Sequence, residues 1–183
     1  MKNNGSELED LQERLGMYDF MLALDNAPNQ VVFGGLDEGL MNAEAYLKEA
    51  GIKTARLPKI EGPFHTRYEI GPALQTQPLI EKTQFSYPKI PTWANSRGTI
   101  IESPEQFRDE SFYQIFRQVL WRQIVQGMIE KEIGRFVIID PSYNGEGAIS
   151  GTIERMKPDA EILTIKDAAT LDDVMARLSA YRA

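Results

Sequence analysis

The chain has 183 residues, 42% of them hydrophobic and 26% charged, with a formal net charge of −7. That balance suits one domain or two small lobes with a sizeable core. The acidic charge argues against a nucleic-acid backbone as the main partner. With no cysteine, disulfides, thiolate catalysis and cysteine metal sites are excluded; with one histidine, a metal site would rest on carboxylates, and no such cluster stands out. No apolar run is long enough to span a bilayer, and the polar start Met1-Lys2-Asn3-Asn4-Gly5-Ser6 lacks a signal-peptide core. A cytoplasmic protein with no nucleic-acid or membrane partner is expected.

In chain order, Ser6 is a candidate N-cap for a helix from Glu7 to Leu15, with acidic residues in the first turn and Leu8, Leu11 and Leu15 on one stripe. Gly16 would end it. Tyr18 to Leu24 reads as a strand, Asn26-Ala27-Pro28-Asn29 as a turn and Gln30 to Phe33 as a second strand, so a hairpin is expected. Asp37 to Ala50 reads as a helix with Leu40, Ala43, Tyr46 and Leu47 on one side, closed by Gly51, and Lys53 to Leu57 as another strand. The order α-β-β-α-β is that of a ferredoxin-like β-α-β-β-α-β lobe without its first strand.

Beyond Gly62 the pattern changes. Ile70 to Ile80 is weakly helical, Phe85 to Pro91 extended, and Thr92 to Asn95 a short strand. Ser103-Pro104-Glu105 opens a helical stretch that runs, with a break, to about Glu130. Arg135 to Asp140 reads as a buried strand, followed by a Gly-rich loop from Pro141 to Gly147 and a helix to Met156. A strand at Glu161 to Ile165 and a helix from Leu171 to Tyr181 complete it. Strand–helix alternation implies an α/β sheet. The expected division is a small lobe over residues 1–61 and a larger one over 62–183.

The lone histidine, His65, lies in Gly62-Pro63-Phe64-His65-Thr66. An imidazole is the side chain best poised for proton transfer near neutrality. Three other segments stand out: Asn26-Ala27-Pro28-Asn29-Gln30-Val31-Val32-Phe33-Gly34-Gly35, Ile90-Pro91-Thr92-Trp93-Ala94-Asn95-Ser96-Arg97-Gly98 and Gln114-Ile115-Phe116-Arg117-Gln118-Val119-Leu120-Trp121. With the His65 segment they resemble, in order, the Asn-Ser-Pro-x-Gln-Val-Val-x-x-Gly, Gly-Ala-Phe-His-Ser, Ile-Pro-Val-x-x-Asn-x-x-Gly and Gln-Leu-x-x-Pro-Val-x-Trp segments of the malonyl-CoA:acyl-carrier-protein transacylases. The resemblance runs from about Ser6 to Met156 and corresponds to the C-terminal half of that family. Departures are Asp140-Pro141-Ser142 where the family has Gly-Pro-Gly, Glu69 for a methionine, and Gln118 for a proline.

The resemblance implies an α/β fold: a partial ferredoxin-like small lobe plus the C-terminal part of an α/β-hydrolase-like acyltransferase large lobe. It implies that His65 is the general base, oriented by the main-chain carbonyl of Gln114, and that Phe64, Asn26 and Asn95 meet substrate. Phe64 would crowd an α-methyl group and so favour malonyl. Acyl-CoA would be a substrate and phosphopantetheine would arrive on an acyl carrier protein; no tightly bound cofactor and no metal are implied. The family's nucleophile sits on Gly-His-Ser-x-Gly, and no serine here has a Gly-x-Ser-x-Gly context; Ser150 lies in Ala148-Ile149-Ser150-Gly151. The expected partners are therefore a complementary N-terminal half with the serine and the carrier protein. The alternative is a non-catalytic carrier-protein-docking or assembly module. On residues alone, Asn26 and Asn95 suit turns as well as a pocket, Trp121 suits core packing, and Arg67 suits a solvated surface. Gly145 and Gly147 match neither a P-loop nor a dinucleotide fingerprint.

Overall fold

The computed structural model describes residues 13–14, 19–57, 60–139 and 149–181. Contacts divide the chain into two compact units, Met1–Ile124 and Val125–Ala183. Within the first unit, hydrogen bonds tie the early strands to later segments. Asp25 N–H donates to the Val119 carbonyl at 2.9 Å and Val119 N–H to that of Ala23 at 2.8 Å.

In the first unit, β1 (Phe20–Ala27) and β2 (Gln30–Gly35) form an antiparallel hairpin, paired Phe20 to Gly35 and Leu22 to Phe33, with irregularities between Leu22 and Leu24 and between Asp25 and Ala27. The turn is two residues shorter than its Asn-Pro signal suggested, so Asn26 falls inside β1. Helix α1 (Asp37–Glu49) has Asp37 and Glu38 in its first turn, where the dipole favours them. It buries Ala43 and Leu47 against Phe20, whose ring stacks on Phe33 at 4.9 Å between centroids. Each large side chain so buried contributes about 1.5–3 kcal/mol. The strand expected at Lys53 to Leu57 does not form: all five residues are exposed, and no neighbouring strand among the described residues offers them a ladder. The helix expected from Glu7 to Leu15 lies outside the described residues except Glu13 and Arg14, which are helical.

Helix α2 (Ile70–Lys82) follows a short 3-10 turn at Arg67–Glu69. The strand expected at Thr92 to Asn95 reduces to one bridge between Trp93 and Ile100. It closes on a turn in which Gly98, at φ +65°, occupies the left-handed region that glycine enters without penalty. Helix α3 (Pro104–Tyr113) is started by Ser103, whose Oγ accepts from Gln106 N–H at 3.2 Å, with Pro104 in the first turn. Helix α4 (Trp121–Glu130) spans the division between the units.

The second unit continues with β3 (Arg135–Ile139), α5 (Ile149–Met156), β4 (Glu161–Ile165) and α6 (Ala168–Ala180). The strands pair in parallel, Arg135 to Glu161 through Ile139 to Ile165, and the segment between them is the crossover a parallel pair requires. Phe136, Ile138, Ile153, Leu163 and Val174 are buried. Only alternate residues of β3 are buried: Val137 is 42% and Ile139 75% exposed, so the strand expected to be buried throughout has one open face. Helix α6 starts earlier than expected because Asp167 and Thr170 form a reciprocal capping box. The Gly-rich loop at Pro141 to Gly147 lies outside the described residues. Among those described, no helix is long and apolar enough to cross a membrane.

Candidate active site

The site lies in the first unit and rests on irregular backbone. His65 has φ +60°, uncommon for a residue with a Cβ. Neighbouring groups hold it there. Thr66 is 1% exposed, donates from Oγ1 to the Pro63 carbonyl at 2.5 Å and accepts from Tyr68 N–H at 3.4 Å. The loop rests on the bare backbone of Gly34, where a Cβ would come within 3.1 Å of Thr66 Cγ2. That is a physical reason for glycine at the end of the first motif.

Two consecutive carbonyls at the end of α3 grip His65. Its backbone N–H donates to Ile115 O at 3.3 Å, and ring Nδ1 lies 2.7 Å from Gln114 O. A carbonyl can only accept, so in the neutral ring Nδ1 carries the proton and Nε2 keeps its lone pair. Gln114 is the C-cap of α3, and carbonyls at a helix end have no intrahelical donor. The helix therefore presents an orphan acceptor, with the partial negative charge of its C-terminus, to the imidazole.

His65 lines an open cleft of about 530 Å³, together with Phe20, Met21 and Leu22 of β1, Arg67, Ser96, and Phe116, Arg117, Gln118 and Leu120. Three ties fix these walls. Leu120 N–H donates to Asn95 O at 2.8 Å. Buried Glu110 accepts from both Ser96 N–H at 2.7 Å and Ser96 Oγ at 2.6 Å. Buried Asp25 accepts from Arg122 Nε at 3.0 Å and from its terminal nitrogen at 2.7 Å. Arg67 pairs with Asp19 at 2.6 Å, and its guanidinium is held above its ordinary value first by Tyr68 and then by Asp19.

Of the residues singled out by sequence, His65 and Gln114 are brought together. Phe64, Asn26 and Asn95 are not among the residues that line the cleft. Phe64 is 51% exposed, its ring over Gly62; Asn26 is half-buried in β1 and Asn95 is exposed. Arg67, read as a solvated arginine, is exposed yet lines the cleft beside the histidine. Sequence reasoning missed Ser96, Glu110, Arg117 and the Asp25–Arg122 pair. Ser96 and Arg117 sit inside quoted motifs, but at variable positions; nothing in the sequence joins Glu110 to Ser96. Among the described residues no three acidic or histidine side chains converge as metal ligands would.

No protein-family model matches the chain. It is 20% identical over 151 residues to a malonyl CoA-acyl carrier protein transacylase of Bacillus subtilis, covering 82% of this chain and 46% of that protein. It is 24% identical over 156 residues to the Synechocystis enzyme of the same name, covering 85% and 50%. The crystal structure of the Clostridium perfringens malonyl CoA-acyl carrier protein transacylase superposes with a TM-score of 0.86 at 21% identity, over 100% of this chain and 56% of that one. The fold is that of a malonyl-CoA:acyl-carrier-protein transacylase, in part. A type II polyketide-synthase acyl-carrier protein in complex with its malonyl-transacylase also matches, with a TM-score of 0.77 at 23% identity over 89% and 53%. The chain thus spans about half the length of the transacylases it matches, and it resembles their C-terminal half.

Proposed function

We propose that the chain supplies the general-base half of an acyl-transfer site, moving a malonyl-type acyl group from CoA to the phosphopantetheine thiol of an acyl carrier protein in fatty-acid or polyketide assembly. The observation that carries this is the hydrogen bond between His65 Nδ1 and the Gln114 carbonyl, which leaves a basic Nε2 on a ring that lines a cleft. The nucleophilic serine comes from outside these 183 residues, since none of their serines has the nucleophile-elbow context.

In the first half-reaction Nε2 takes the serine proton as the serine oxygen attacks the thioester carbonyl. The proton then goes to the departing CoA sulfur, leaving an acyl-serine. In the second, Nε2 takes the proton of the carrier thiol, the sulfur attacks the ester, and the proton returns to the serine oxygen. The helix-end carbonyl orients the ring in both halves, and its partial negative charge complements the transient imidazolium. The setting is the cytoplasm.

The test is reconstitution: the chain is mixed with a serine-bearing N-terminal transacylase half, malonyl-CoA and holo carrier protein, and malonyl transfer is followed by mass. Transfer should need both halves, and His65→Ala should lower its rate roughly 10²–10⁴-fold. Equal rates with and without His65 would sink the base role. The second reading, a docking module without catalysis, is favoured by the open face of β3, and it expects carrier binding with no transfer from any mixture.

A further inference from the structure

The polar side chains that line the cleft are His65, Arg67, Ser96, Arg117 and Gln118. His65 is held by the Gln114 carbonyl, Arg67 pairs with Asp19, and the Arg117 guanidinium lies over the Tyr113 ring, with Cζ 3.7 Å from the centroid. Ser96 and Gln118 remain, and the acid–base scheme uses neither. Ser96 is prepared as an acceptor. Its Oγ–H donates to Glu110 Oε2 at 2.6 Å, and its backbone N–H donates to Oε1 of the same carboxylate at 2.7 Å. A hydroxyl has a single proton and two lone pairs. With that proton given to a carboxylate, at the short separation of a charge-assisted bond, Oγ can only accept from a group in the cleft. Glu110 is 7% exposed, and among the described residues no cation pairs with it, whereas buried Asp25 has Arg122. A buried carboxylate without a cation costs stability; what this one fixes is the Ser96 hydroxyl.

Gln118 is uncommitted. Among the described residues its side-chain amide has no hydrogen-bond partner, and it brings N–H donors and a carbonyl acceptor to the same cleft. The bond from Leu120 N–H to Asn95 O, 2.8 Å long, fastens the segment carrying Gln118 to the segment carrying Ser96. The rest of the lining is apolar: Phe20, Met21, Leu22, Phe116 and Leu120. A few polar groups on an apolar wall are what orients a ligand in a pocket. An acceptor-only oxygen beside a free carboxamide matches a secondary amide, which offers one N–H and one C=O.

We propose that Ser96 and Gln118 form an amide-reading subsite for a pantetheine-type thiol arm. Ser96 Oγ accepts the N–H of the arm's amide nearest the sulfur, and the Gln118 side chain donates to that amide's carbonyl, while His65 addresses the sulfur end. Glu110 is the positioning residue that keeps Ser96 an acceptor. The subsite rests on the acyl-transfer reading and deepens it. CoA and the carrier present the same arm, so one subsite serves both half-reactions. It is a feature of this chain: the transacylase segments it resembles have proline where Gln118 stands and no fixed residue where Ser96 stands. A proline side chain could make no such bond.

Because the chain has one histidine, its imidazole NMR signals report this cleft alone, without any need for turnover. The full chain is titrated with the malonyl thioester of N-acetylcysteamine, which carries the amide, and with that of mercaptoethyl acetate, in which an ester oxygen replaces the N–H. The amide should bind roughly fivefold more tightly. Ser96→Ala should bring the two probes to equal affinity. Gln118→Leu should weaken both probes by a similar factor and keep the preference, because both have the carbonyl. Glu110→Gln, of nearly the same shape, should abolish the preference with Ser96 still in place, since a carboxamide can donate to Oγ and turn its proton towards the cleft. A merely structural Glu110 would leave the ratio of the two affinities unchanged. Equal binding of both probes by the native chain, or a preference that survives Ser96→Ala, overturns the subsite and leaves the acyl-thioester reading standing. No response of the His65 signals to either probe overturns that reading, and the subsite with it. Ligand-free His65 signals at native positions show that each variant's cleft is intact; if Glu110→Gln does not fold, the variants at half-buried Ser96 and Gln118 decide the matter.

Discussion

The two units are built differently. In the first, through Ile124, the buried apolar residues include five alanines (Ala23, Ala27, Ala43, Ala73 and Ala94), and segments far apart in sequence are joined by polar ties such as Arg122–Asp25 and Ser96–Glu110. In the second the buried apolar residues among those described are Val125, Phe136, Ile138, Ile153, Leu163 and Val174, set on a strand–helix–strand–helix alternation. Left-handed backbone follows the same contrast: Asp19, His65, Gly51 and Gly98 in the first unit, and Glu132 among the described residues of the second. Small side chains let backbones approach closely and place loops against one another, but they bury little apolar area, so hydrogen bonds and ion pairs must fix the geometry. The candidate site sits in the unit built that way. A strained, cross-tied scaffold can hold a base at an unusual φ, which a regular alternation does not offer.

Four measurements break or sharpen that contrast. Leu163 is 1% exposed, so Leu163→Ala should cost the second unit about 3 kcal/mol, read as lost amide protection in β3 and β4. A loss below about 1 kcal/mol would mean that its core is not what holds it. Arg122→Ala strands a buried carboxylate in β1 and should cost the first unit about 2 kcal/mol in chemical denaturation, with Asp25→Asn in the same background restoring part of it. If Arg122→Ala is neutral, the polar ties are ornaments rather than supports.

The third compares His65→Gly with His65→Ala. Both remove the imidazole and its bond to Gln114, but only alanine keeps a Cβ at φ +60°, so the glycine variant should be the more stable by about 1 kcal/mol. Equal melting temperatures would place the strain elsewhere. The smallest effect concerns acid. Hydrogen bonds from Tyr181 and Arg135 hold the Glu161 carboxyl below its ordinary 4.5, and Thr170 holds that of Asp167 below its ordinary 3.8. Carboxyls depressed on folding add stability above their unfolded values and lose it as pH falls through the folded ones. Protection in α6 should therefore weaken below about pH 4, and Glu161→Gln should flatten that response. Asp167 is exposed and Glu161 only half-buried, so the slope is shallow and reduced by salt.

Much of this was legible in the sequence, for identifiable reasons. The helix at Asp37–Glu49 shows its period and its closing glycine, and the β3–α5–β4–α6 alternation shows its apolar runs; local patterning suffices where each element meets its neighbour in the chain. His65 and Gln114 could be named from motif order, and the structure brings those two together. The strand expected at Lys53 to Leu57 failed because a strand needs a partner, which no local pattern supplies. Asn26, Asn95 and Phe64 sit in motifs but are not among the residues that line the cleft, since a motif fixes chain position and not side-chain direction.

The sequence by itself determined the hairpin, the helix at Asp37–Glu49, the β3–α5–β4–α6 alternation, the single imidazole, the break between α3 and α4, and the absence of a serine elbow from these residues. Each depends on residue identity or on spacing within one segment. Only the tertiary structure decided which nitrogen of His65 is basic, that its backbone is left-handed, that Glu110 grips Ser96, and that Arg117 lies over Tyr113 in the cleft. All of these except the stack join segments that the chain order keeps apart, and the stack needs the turn after α3 to bring position 117 over position 113. Their geometry exists only once loop closure has brought the partners within hydrogen-bond or contact range.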